Sequence, residues 1–516
     1  MLIDRVFHVR PARAFSRDVV TLEFRFKVVR VPDSLEEDEN FPYEDEIFLV
    51  NVGETGKFTS DKIFQSKFTV FKDGGDLCCN GYAPDFARKS NVIEGRFAAG
   101  QSYRVKLTLT KYRVYVEING GQFKTSYGNG REEITDAAFY ARKSVAVELD
   151  EESVTFTESE NGDWPIDAGV RKLIEEGLAC NYLFWHNAPD GVYFDRLNVA
   201  QNILCTTRNS PAYQTNVELD FYSDTQFFAL EFEVTDIPAP EWPLQFGFLL
   251  NGARQNVSVL TVKKDREYEV RFELPEHSPA ANRWTIVFPA SASVALKKAR
   301  FSEGARFAKV EKSKTVYFFG DSITEGSECI DPCAAYFNQV TNAYDFYAID
   351  QAVSGRTFSD YTILGEYPMP ADVVMIANGT NSFCGGTAEP QEAFALLEQQ
   401  MEQVIGAAKR TFPRAKIVAL LPVWRSDEAG VRFSLRDIAE KMRQVYARYP
   451  EISVIDCYPF LPHDFSLFSD PNFAIHPNSA GHDLYALRLL EALGPILGAP
   501  APRRDAERAA DALQKV

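Results

Sequence analysis

The sequence predicts a multidomain protein: two N-terminal antiparallel β-sandwich regions, both jelly-roll-like, followed by a C-terminal α/β/α domain with a parallel sheet. The chain has 516 residues, more than one core can serve, because single hydrophobic cores stop growing near about 250–300 residues. Apolar and polar residues alternate with period two up to Phe301, whereas apolar runs alternate with amphipathic helical stretches from Thr315 onwards. We therefore expect β-sandwich domains at 1–160 and 166–301, an α/β domain at 315–497, and a C-terminal tail at 499–516.

The first β region shows its strand pattern clearly at Val20, Leu22, Phe24 and Phe26, which alternate with polar residues. This spacing places the four apolar side chains on one face of a strand, as in a half-buried sheet. The stretch 103–121 repeats the pattern and is similar to the strands of concanavalin-like (laminin G-type) jelly rolls. We expect this region to be a β-sandwich of that kind.

The second β region begins after a polar break at 158–165. Apolar residues alternate again at 228–234, 268–272 and 284–288, which is typical of an antiparallel sandwich. The Lys-rich segment 302–314 is interpreted as a linker. Because the strands run almost directly into the α/β domain, we expect the second region to abut the functional site of that domain.

The composition argues against several classes of function. A formal net charge of −18 repels phosphate backbones, so no nucleic-acid partner is expected. The sequence contains no run of about 18 apolar residues, so we expect no membrane span, and its first residues, MLIDRVFHVR, lack the apolar core of a secretory signal. The eight cysteines include no pair of CxxC units, so no metal site is expected. Cys329 and Cys333 are interpreted as reduced, buried thiols of a cytoplasmic protein rather than as a redox pair.

The strongest chemical motif is Gly320-Asp321-Ser322, which directly follows the apolar run 316–319. A serine at the C-terminal end of a parallel strand lies at the edge of the sheet where ligands bind. Gly320 permits a tight turn, and the backbone that follows it can offer N–H donors. Ser322 is therefore a candidate nucleophile. The alternative is a serine that only caps a helix after a glycine turn.

Three further candidates lie at the ends of predicted elements. Gly355 follows the short strand 347–349 and Asn381 follows the apolar run 373–377, although both residue types also occur in ordinary turns. His476 begins the sequence HPNSAGH, just ahead of the last predicted helix. Because imidazole shuttles protons readily near neutral pH, His476 is the candidate general base.

In their order along the chain, these four motifs resemble the conserved blocks of the SGNH (GDSL) hydrolase family. The resemblance implies a C-terminal SGNH hydrolase domain that acts as a serine esterase, with Ser322 as nucleophile and His476 as base. It also implies an oxyanion hole formed by the Ser322 N–H, the Gly355 N–H and the Asn381 side chain. In the third block Ser382 replaces the family's Asp, which leaves the Asn381 donor in place. No cofactor is expected, because the glycines match neither a GxGxxG nor a P-loop pattern.

The sequence departs from the family just before His476, where Phe473 occupies the position of the orienting Asp. Two arrangements remain open. In the first, an insertion keeps Asp470 as the acid that orients the imidazole. In the second, Ser322 and His476 act as a dyad, and a backbone carbonyl holds the imidazole. We favour Asp470.

The expected substrate follows from the domain arrangement, because β-sandwich regions ahead of an SGNH domain resemble carbohydrate esterases. We expect the partner to be a small-molecule or oligosaccharide ester that carries acetyl or other short acyl groups. Trp424, at the end of a predicted strand, either lines the acyl or sugar pocket or packs in the core. The alternatives are an esterase or thioesterase for lipid-like acyl chains, and a carbohydrate-binding protein with a decayed hydrolase domain. The sequence also leaves a homo-oligomer open.

Overall fold

The computed structural model divides into two compact units, the first formed by residues 1–164 with 199–211 and the second by 165–198 with 212–516. The second β region and the α/β domain therefore share one compact body. The structure describes residues 1–3, 6–11, 19–38, 46–53, 66–73, 76–82, 99–109, 114–119, 121–124, 134–159, 164–198, 201, 213–359, 362–386, 388–426, 432–500 and 505–515.

The first unit is built from two five-stranded antiparallel sheets. Its strands are β1 (Val6–Val9), β2 (Val19–Arg30), β3 (Glu46–Gly53), β4 (Ser66–Asp73), β5 (Asp76–Tyr82), β6 (Ser102–Leu109), β7 (Val114–Ile118), β8 (Gly121–Lys124), β9 (Asp136–Ala141) and β10 (Ala146–Ser159). The strand orders are β1-β9-β3-β4-β5 and β10-β2-β6-β7-β8. Phe24 on β2 lies edge-on to Phe68 and Phe139 of the other sheet, with ring centroids 6.0 and 5.2 Å apart. The predicted antiparallel β architecture is confirmed.

The second β region also contains two antiparallel sheets. Its elements are α1 (Ala168–Glu175), β11 (Ala179–Cys180), β12 (Phe184–Ala188), β13 (Gly191–Asp195), β14 (Glu218–Ser223), β15 (Phe227–Asp236), β16 (Trp242–Leu244), β17 (Gly247–Leu250), β18 (Ala253–Arg254), β19 (Leu260–Val262), β20 (Arg266–Glu273), β21 (Asn282–Val287), β22 (Ser293–Phe301) and β23 (Phe307–Lys309). One sheet has the order β11-β14-β21-β17-β18 with β23 also paired to β14, the other has the order β12-β13-β22-β15-β20, and β16 pairs with β19. The segment 302–314 is therefore not a free linker, because β23 within it completes a sheet of the β region.

The α/β domain has a five-stranded parallel sheet with the order β25-β24-β26-β27-β28. Its elements are β24 (Thr315–Gly320), α2 (Ser322–Glu325), α3 (Tyr336–Tyr344), β25 (Tyr347–Asp350), β26 (Val373–Ala377), α4 (Pro390–Thr411), β27 (Lys416–Leu420), α5 (Leu435–Tyr446), β28 (Ser453–Ile455) and α6 (Ser479–Leu497), with 3₁₀ turns at Pro332–Ala334, Asn381–Gly386, Tyr458–Phe460 and Phe465–Leu467. Helices α4 and α5 cover one face of the sheet, and α3 and α6 cover the other. The predicted α/β/α architecture is confirmed.

The strand order brings the functional loops together. From β24 the chain first adds β25 at one edge of the sheet and then crosses to add β26 on the opposite side of β24. The direction of winding therefore changes between β24 and β26. Loops after neighbouring strands diverge at such a point and leave a crevice, which is where open α/β sheets bind ligands. Ser322 and Asn381 follow these two strands directly.

Within the second unit, the β region and the α/β domain pack closely. A Cβ atom added at Gly247 on β17 would lie 2.4 Å from Cys333 Sγ and 3.0 Å from its backbone nitrogen. A side chain at residue 247 would therefore force the β region and the α/β domain apart. The C-terminal segment forms the helix α7 (Asp505–Leu513), which packs against β14, β21 and β23 with Asp505 and Ala509 buried.

A buried cluster of charges supports the same packing. Arg283 on β21 makes a bidentate pair with Asp220, at 2.9 and 2.7 Å, and its Nη1 lies 2.5 Å from Asp345 and 3.2 Å from Asp505. Burial acts to raise the pKa of Asp220, but Arg283 and Lys312 outweigh it and hold the pKa below the usual range. The guanidinium thus connects the β region, the α/β domain and α7 through three carboxylates.

We expect Arg283→Met to lower the free energy of unfolding by about 3–5 kcal/mol, because it leaves buried carboxylates without their main counter-ion. Arg488→Met is the matched control, since Arg488 makes a solvent-exposed pair with Glu491, and such pairs contribute about 0–1 kcal/mol. Urea unfolding of both variants provides the measurement. Equal losses in the two variants would contradict the role assigned to the buried cluster.

Candidate active site

Ser322 lies where the sequence predicts a nucleophile, at the end of β24 and the start of α2. Its neighbour Asp321 caps this helix, since the carboxylate accepts from the Ile323 N–H at 3.1 Å. A Cβ atom at Gly320 would lie 2.3 Å from Thr324 Oγ1, so the tight turn into the helix requires glycine here. Ser322 itself is 7% exposed, which suits a nucleophile at the base of a crevice.

The structure brings His476 to Ser322 across 154 residues of chain, with Nε2 lying 2.9 Å from the serine Oγ. The loop that carries the histidine is closed by a hydrogen bond from the Ser469 N–H to the His476 carbonyl, at 3.0 Å. Asn478 caps α6 immediately afterwards by accepting from the Gly481 N–H. The imidazole is therefore held between a closed loop and a capped helix, at the distance a general base requires.

The prediction that Asp470 orients His476 is wrong in this structure. The Asp470 side chain is exposed, and its Oδ1 accepts from the Asn472 N–H at 2.8 Å. Asp-Pro-Asn is a sequence that favours a tight turn, in which Asp bonds to the backbone two residues ahead and Pro presets the next backbone angle. Asp470 thus stabilises the tip of the loop instead of contacting the imidazole.

A different carboxylate lies against His476. Oε1 of Glu328 is 3.1 Å from His476 Nδ1, and the two side chains are 51% and 23% exposed. Glu328 belongs to the turn that follows Ser322 and α2, and sequence reasoning did not identify it. Its φ angle of 67° lies in the left-handed region, which is uncommon for a residue other than glycine. Neither the contact nor this backbone angle is visible in the sequence.

The segments that carry the other two predicted oxyanion donors are tied together. Gly355 has a φ of 74°, and a Cβ added to it would meet nothing within 4 Å, so its backbone borders open space. Asn381 Nδ2 donates to the carbonyl of the adjacent Arg356 at 3.1 Å. Ser354 Oγ in turn lies 3.0 Å from Ser327 Oγ, just after α2. The three loops that follow β24, β25 and β26 therefore form one hydrogen-bonded rim.

Glu325 and Arg196 support this rim through hydrogen bonds and an ion pair. Neither residue was identified from the sequence. Glu325 Oε2 accepts from the Ser354 N–H at 2.7 Å and from Ser354 Oγ at 2.6 Å. Its other oxygen lies 2.5 Å from Nη2 of Arg196. Arg196 follows β13 of the β region and is 1% exposed. The expected contact between the second β region and the site is thus made by a buried arginine.

Asp321 lies buried beneath the nucleophile. Burial raises its pKa to about 7, against the lowering effects of the Ile323 N–H and the Arg425 guanidinium. A carboxyl group in such a place is largely protonated below neutral pH. This part of the site therefore changes charge close to neutrality.

Trp424 and His482 pack in the interior. The Trp424 ring is 6% exposed and stacks on His463 with centroids 4.2 Å apart. Of its two predicted roles, the structure displays packing. His482 is fully buried on α6, and burial lowers its pKa to about 3. Its Nδ1 therefore accepts from the Tyr336 N–H, at 3.3 Å, and the ring joins α6 to α3.

One group of described side chains has the spacing of a metal site: Cys180, Glu218 and Asp220. The Nζ of Lys312 lies 2.5 Å from the Asp220 carboxylate and 3.7 Å from that of Glu218. A cation of the chain already balances these charges, so we interpret the group as a structural ion-pair cluster. No helix within the described ranges has the length and apolar character needed to cross a membrane.

Comparison with known proteins identifies the class of the C-terminal domain. Residues 318–484 match the model of the GDSL-like Lipase/Acylhydrolase family, and this range contains Ser322, Gly355, Asn381 and His476. The α/β domain is therefore a GDSL-like hydrolase domain, as its motifs predicted. No curated protein matches the chain.

Solved structures resemble the chain at low identity. A salicylyl-acyltransferase, SsfX3, from a tetracycline biosynthetic pathway is 16% identical with a TM-score of 0.50, over 62% of this chain and 95% of that one. A family two carbohydrate esterase from Clostridium thermocellum is 16% identical with a TM-score of 0.44, over 59% and 98%. An acetyl xylan esterase from the rumen bacterium Butyrivibrio proteoclasticus is 13% identical with a TM-score of 0.41, over 55% and 90%. At such identities, a likeness bears on the fold alone.

The raised pKa of Asp321 predicts a pH-dependent stability. In the unfolded chain this group ionises near pH 3.8, and in the folded chain near 7. Between these values the folded state holds a proton that the unfolded state has released, so the contribution of Asp321 to stability falls as the pH rises.

We expect Asp321→Asn, which stays neutral, to gain stability relative to the wild type between pH 4 and pH 7.5. The gain is about 1.4 kcal/mol for each pH unit between the two pKa values, before relaxation of the site reduces it. Urea unfolding at both pH values measures it, with the exposed Asp470→Asn as control. A difference that does not change with pH would rule out the raised pKa.

Proposed function

We propose that the protein is a serine esterase that removes acetyl or other short acyl groups from carbohydrates through an acyl-enzyme intermediate. One observation carries the proposal: the 2.9 Å contact between His476 Nε2 and Ser322 Oγ, in a domain of the GDSL-like hydrolase family. A serine becomes an effective nucleophile when an adjacent base accepts its proton. The same contact disfavours a decayed hydrolase domain.

The proposed reaction has two halves. His476 Nε2 accepts the proton of Ser322 while Oγ attacks the ester carbonyl, and the resulting oxyanion is held by the Ser322 N–H, the Gly355 N–H and the Asn381 side chain. Each such donor is typically worth about 2.7–4 kcal/mol in the transition state. The alcohol leaves with the proton from His476, and a water molecule activated by the same imidazole then releases the acyl group.

Polar side chains on the rim support a hydroxylated leaving group. Ser327, Ser354 and Asn381 belong to the hydrogen-bonded rim, and Glu328 lies against His476. Polar groups of this kind can bond to sugar hydroxyls, whereas a long alkyl chain requires a mostly apolar pocket. The carbohydrate part of the proposal rests on the arrangement of a β-sandwich region before the hydrolase domain, which is an analogy of architecture.

We expect Ser322→Ala to lower the hydrolysis of nitrophenyl acetate by at least about 10³-fold, because removal of the nucleophile of a catalytic serine site costs at least that much. The matched control is Ser313→Ala, whose hydroxyl donates to the Tyr344 carbonyl near the protein surface. Circular dichroism should show both variants folded. A Ser322→Ala enzyme within about tenfold of the wild type would refute the proposed nucleophile.

A series of nitrophenyl esters tests the acyl group. We expect kcat/KM to fall by about tenfold or more from acetate to octanoate, since a pocket shaped for a short acyl group excludes added methylenes. Acetylated xylo- and cello-oligosaccharides form the second arm of the assay. A profile that rises with chain length, without deacetylation of the sugars, would favour the lipid-like alternative.

A further inference from the structure

We propose that Glu328 is the residue that positions His476 for catalysis, and that it replaces the acid absent from the histidine motif. This inference rests on the proposed esterase function of Ser322 and His476. It differs from both arrangements suggested by the sequence, because the acid is neither Asp470 nor a backbone carbonyl. It also places the nucleophile and the acid close together in the sequence, with Ser322 as the first residue of α2 and Glu328 in the turn after it.

The geometry of the imidazole carries the inference. His476 has two ring nitrogens, of which Nε2 lies 2.9 Å from Ser322 Oγ and Nδ1 lies 3.1 Å from Glu328 Oε1. The Glu328 carboxylate lies within ion-pair distance of Nδ1 without forming a hydrogen bond to it in this structure, and catalytic hydrogen bonds often tighten only when the substrate is bound. A proton that Nδ1 donates to this carboxylate leaves the lone pair of Nε2 facing the serine. When Nε2 takes the serine proton, the same carboxylate lies beside the imidazolium and stabilises it. Glu328 thus occupies the place of a triad acid.

The backbone around Glu328 supports a functional role for it. A left-handed conformation at φ 67° disfavours a glutamate, and a glycine would adopt it without steric cost. The turn is nevertheless held on both sides. The Ser327 N–H donates to the Ser322 carbonyl at 2.9 Å, and the Cys329 N–H donates to the Gly326 carbonyl at 3.0 Å. Non-glycine residues kept in such conformations by their surroundings are concentrated at functional sites.

The charge of Glu328 is only partly shielded from water. Its side chain is 51% exposed, so solvent weakens its effect on the imidazole relative to a buried acid. Loss of the buried acid from a serine triad lowers kcat by about 10⁴-fold. For Glu328 we therefore expect a smaller loss, of about 10- to 100-fold in kcat/KM.

The test compares Glu328→Gln, Glu328→Asp and Glu328→Gly with the wild type and with Asp470→Asn. Hydrolysis of nitrophenyl acetate gives kcat/KM as a function of pH. Labelling of Ser322 by a fluorophosphonate gives a second rate, which depends on the Ser322–His476 pair and not on the natural ester. If the wild type reacts with the fluorophosphonate and not with the ester, the proposed ester substrate is wrong. The labelling rates of the variants then still test the role of Glu328.

We expect Glu328→Gln to lose about 10- to 100-fold in both rates, because the imidazolium that forms when Nε2 takes the serine proton loses its counter-ion. Glu328→Asp keeps the charge and should recover part of the rate that Glu328→Gln loses. Glu328→Gly should unfold at a higher urea concentration than the wild type while losing activity. Asp470→Asn should keep the activity and pH profile of the wild type.

The inference is overturned if Glu328→Gln stays within twofold of the wild type in both rates. It is also overturned if Asp470→Asn shows the larger loss, which would return the role to Asp470. A loss of rate in Glu328→Gln that is accompanied by an earlier unfolding midpoint, and that Glu328→Asp does not recover, would assign Glu328 a structural role only.

Discussion

The buried guanidinium of Arg196 is the contact on which the active-site rim depends. Arg196 belongs to the β region and is 1% exposed. Its guanidinium donates to the Ala352 carbonyl at 2.6 Å and also to the Glu325 carboxylate. Glu325 in turn fixes Ser354 through the backbone and the side chain. Removing one partner from a buried charge pair typically costs about 3–5 kcal/mol. The β region therefore forms part of the support of the hydrolase site.

This support explains why the β region and the α/β domain share one compact unit. Two buried cations of the β region, Arg196 and Arg283, both reach carboxylates that lie on the α/β domain. An ion pair buried between two domains needs accurate geometry, because the attraction between the charges must offset their loss of hydration. The close approach of Gly247 to Cys333 helps to fix the distance between the two domains. Rigid support of this kind suits a site in which hydrogen-bond donors must be placed before the substrate arrives.

The proposed catalytic groups come from segments of very different character. Ser322 begins the short helix α2 and Glu328 lies in the turn after it, so local backbone geometry sets their separation. His476 comes from a loop 154 residues away, which the Ser469–His476 hydrogen bond closes. Among these three groups, the imidazole is therefore the one whose placement depends on the packing of the whole domain. Its contacts on both ring nitrogens define how it is oriented.

The sequence by itself predicted those features of the fold and the site that a local pattern of residues determines. Period-two alternation at Val20 to Phe26 predicted a half-buried strand, because successive side chains of a strand must face opposite ways. The motif at Gly320 to Ser322 predicted a serine at a strand end, since the turn geometry is encoded within a few residues. The HPNSAGH motif likewise indicated His476 ahead of a helix. The architecture followed from such local signals, whereas the pairing of Ser322 with His476 was implied by the resemblance of the motifs to the SGNH hydrolase family.

The tertiary structure alone decided the partners that lie far apart in the sequence. Asp470 is nearer to His476 along the chain, but its carboxylate accepts from the Asn472 N–H in an Asx turn. Glu328, from another loop, lies against the imidazole instead. The segment 302–314 looked like a linker because its pairing partner, β14, lies about 85 residues earlier along the chain. Arg196 gave no signal because its role depends on Glu325, 129 residues away. Composition and periodicity report which face of an element is buried, but they do not report which side chain it is buried against, because that depends on the packing of the whole chain.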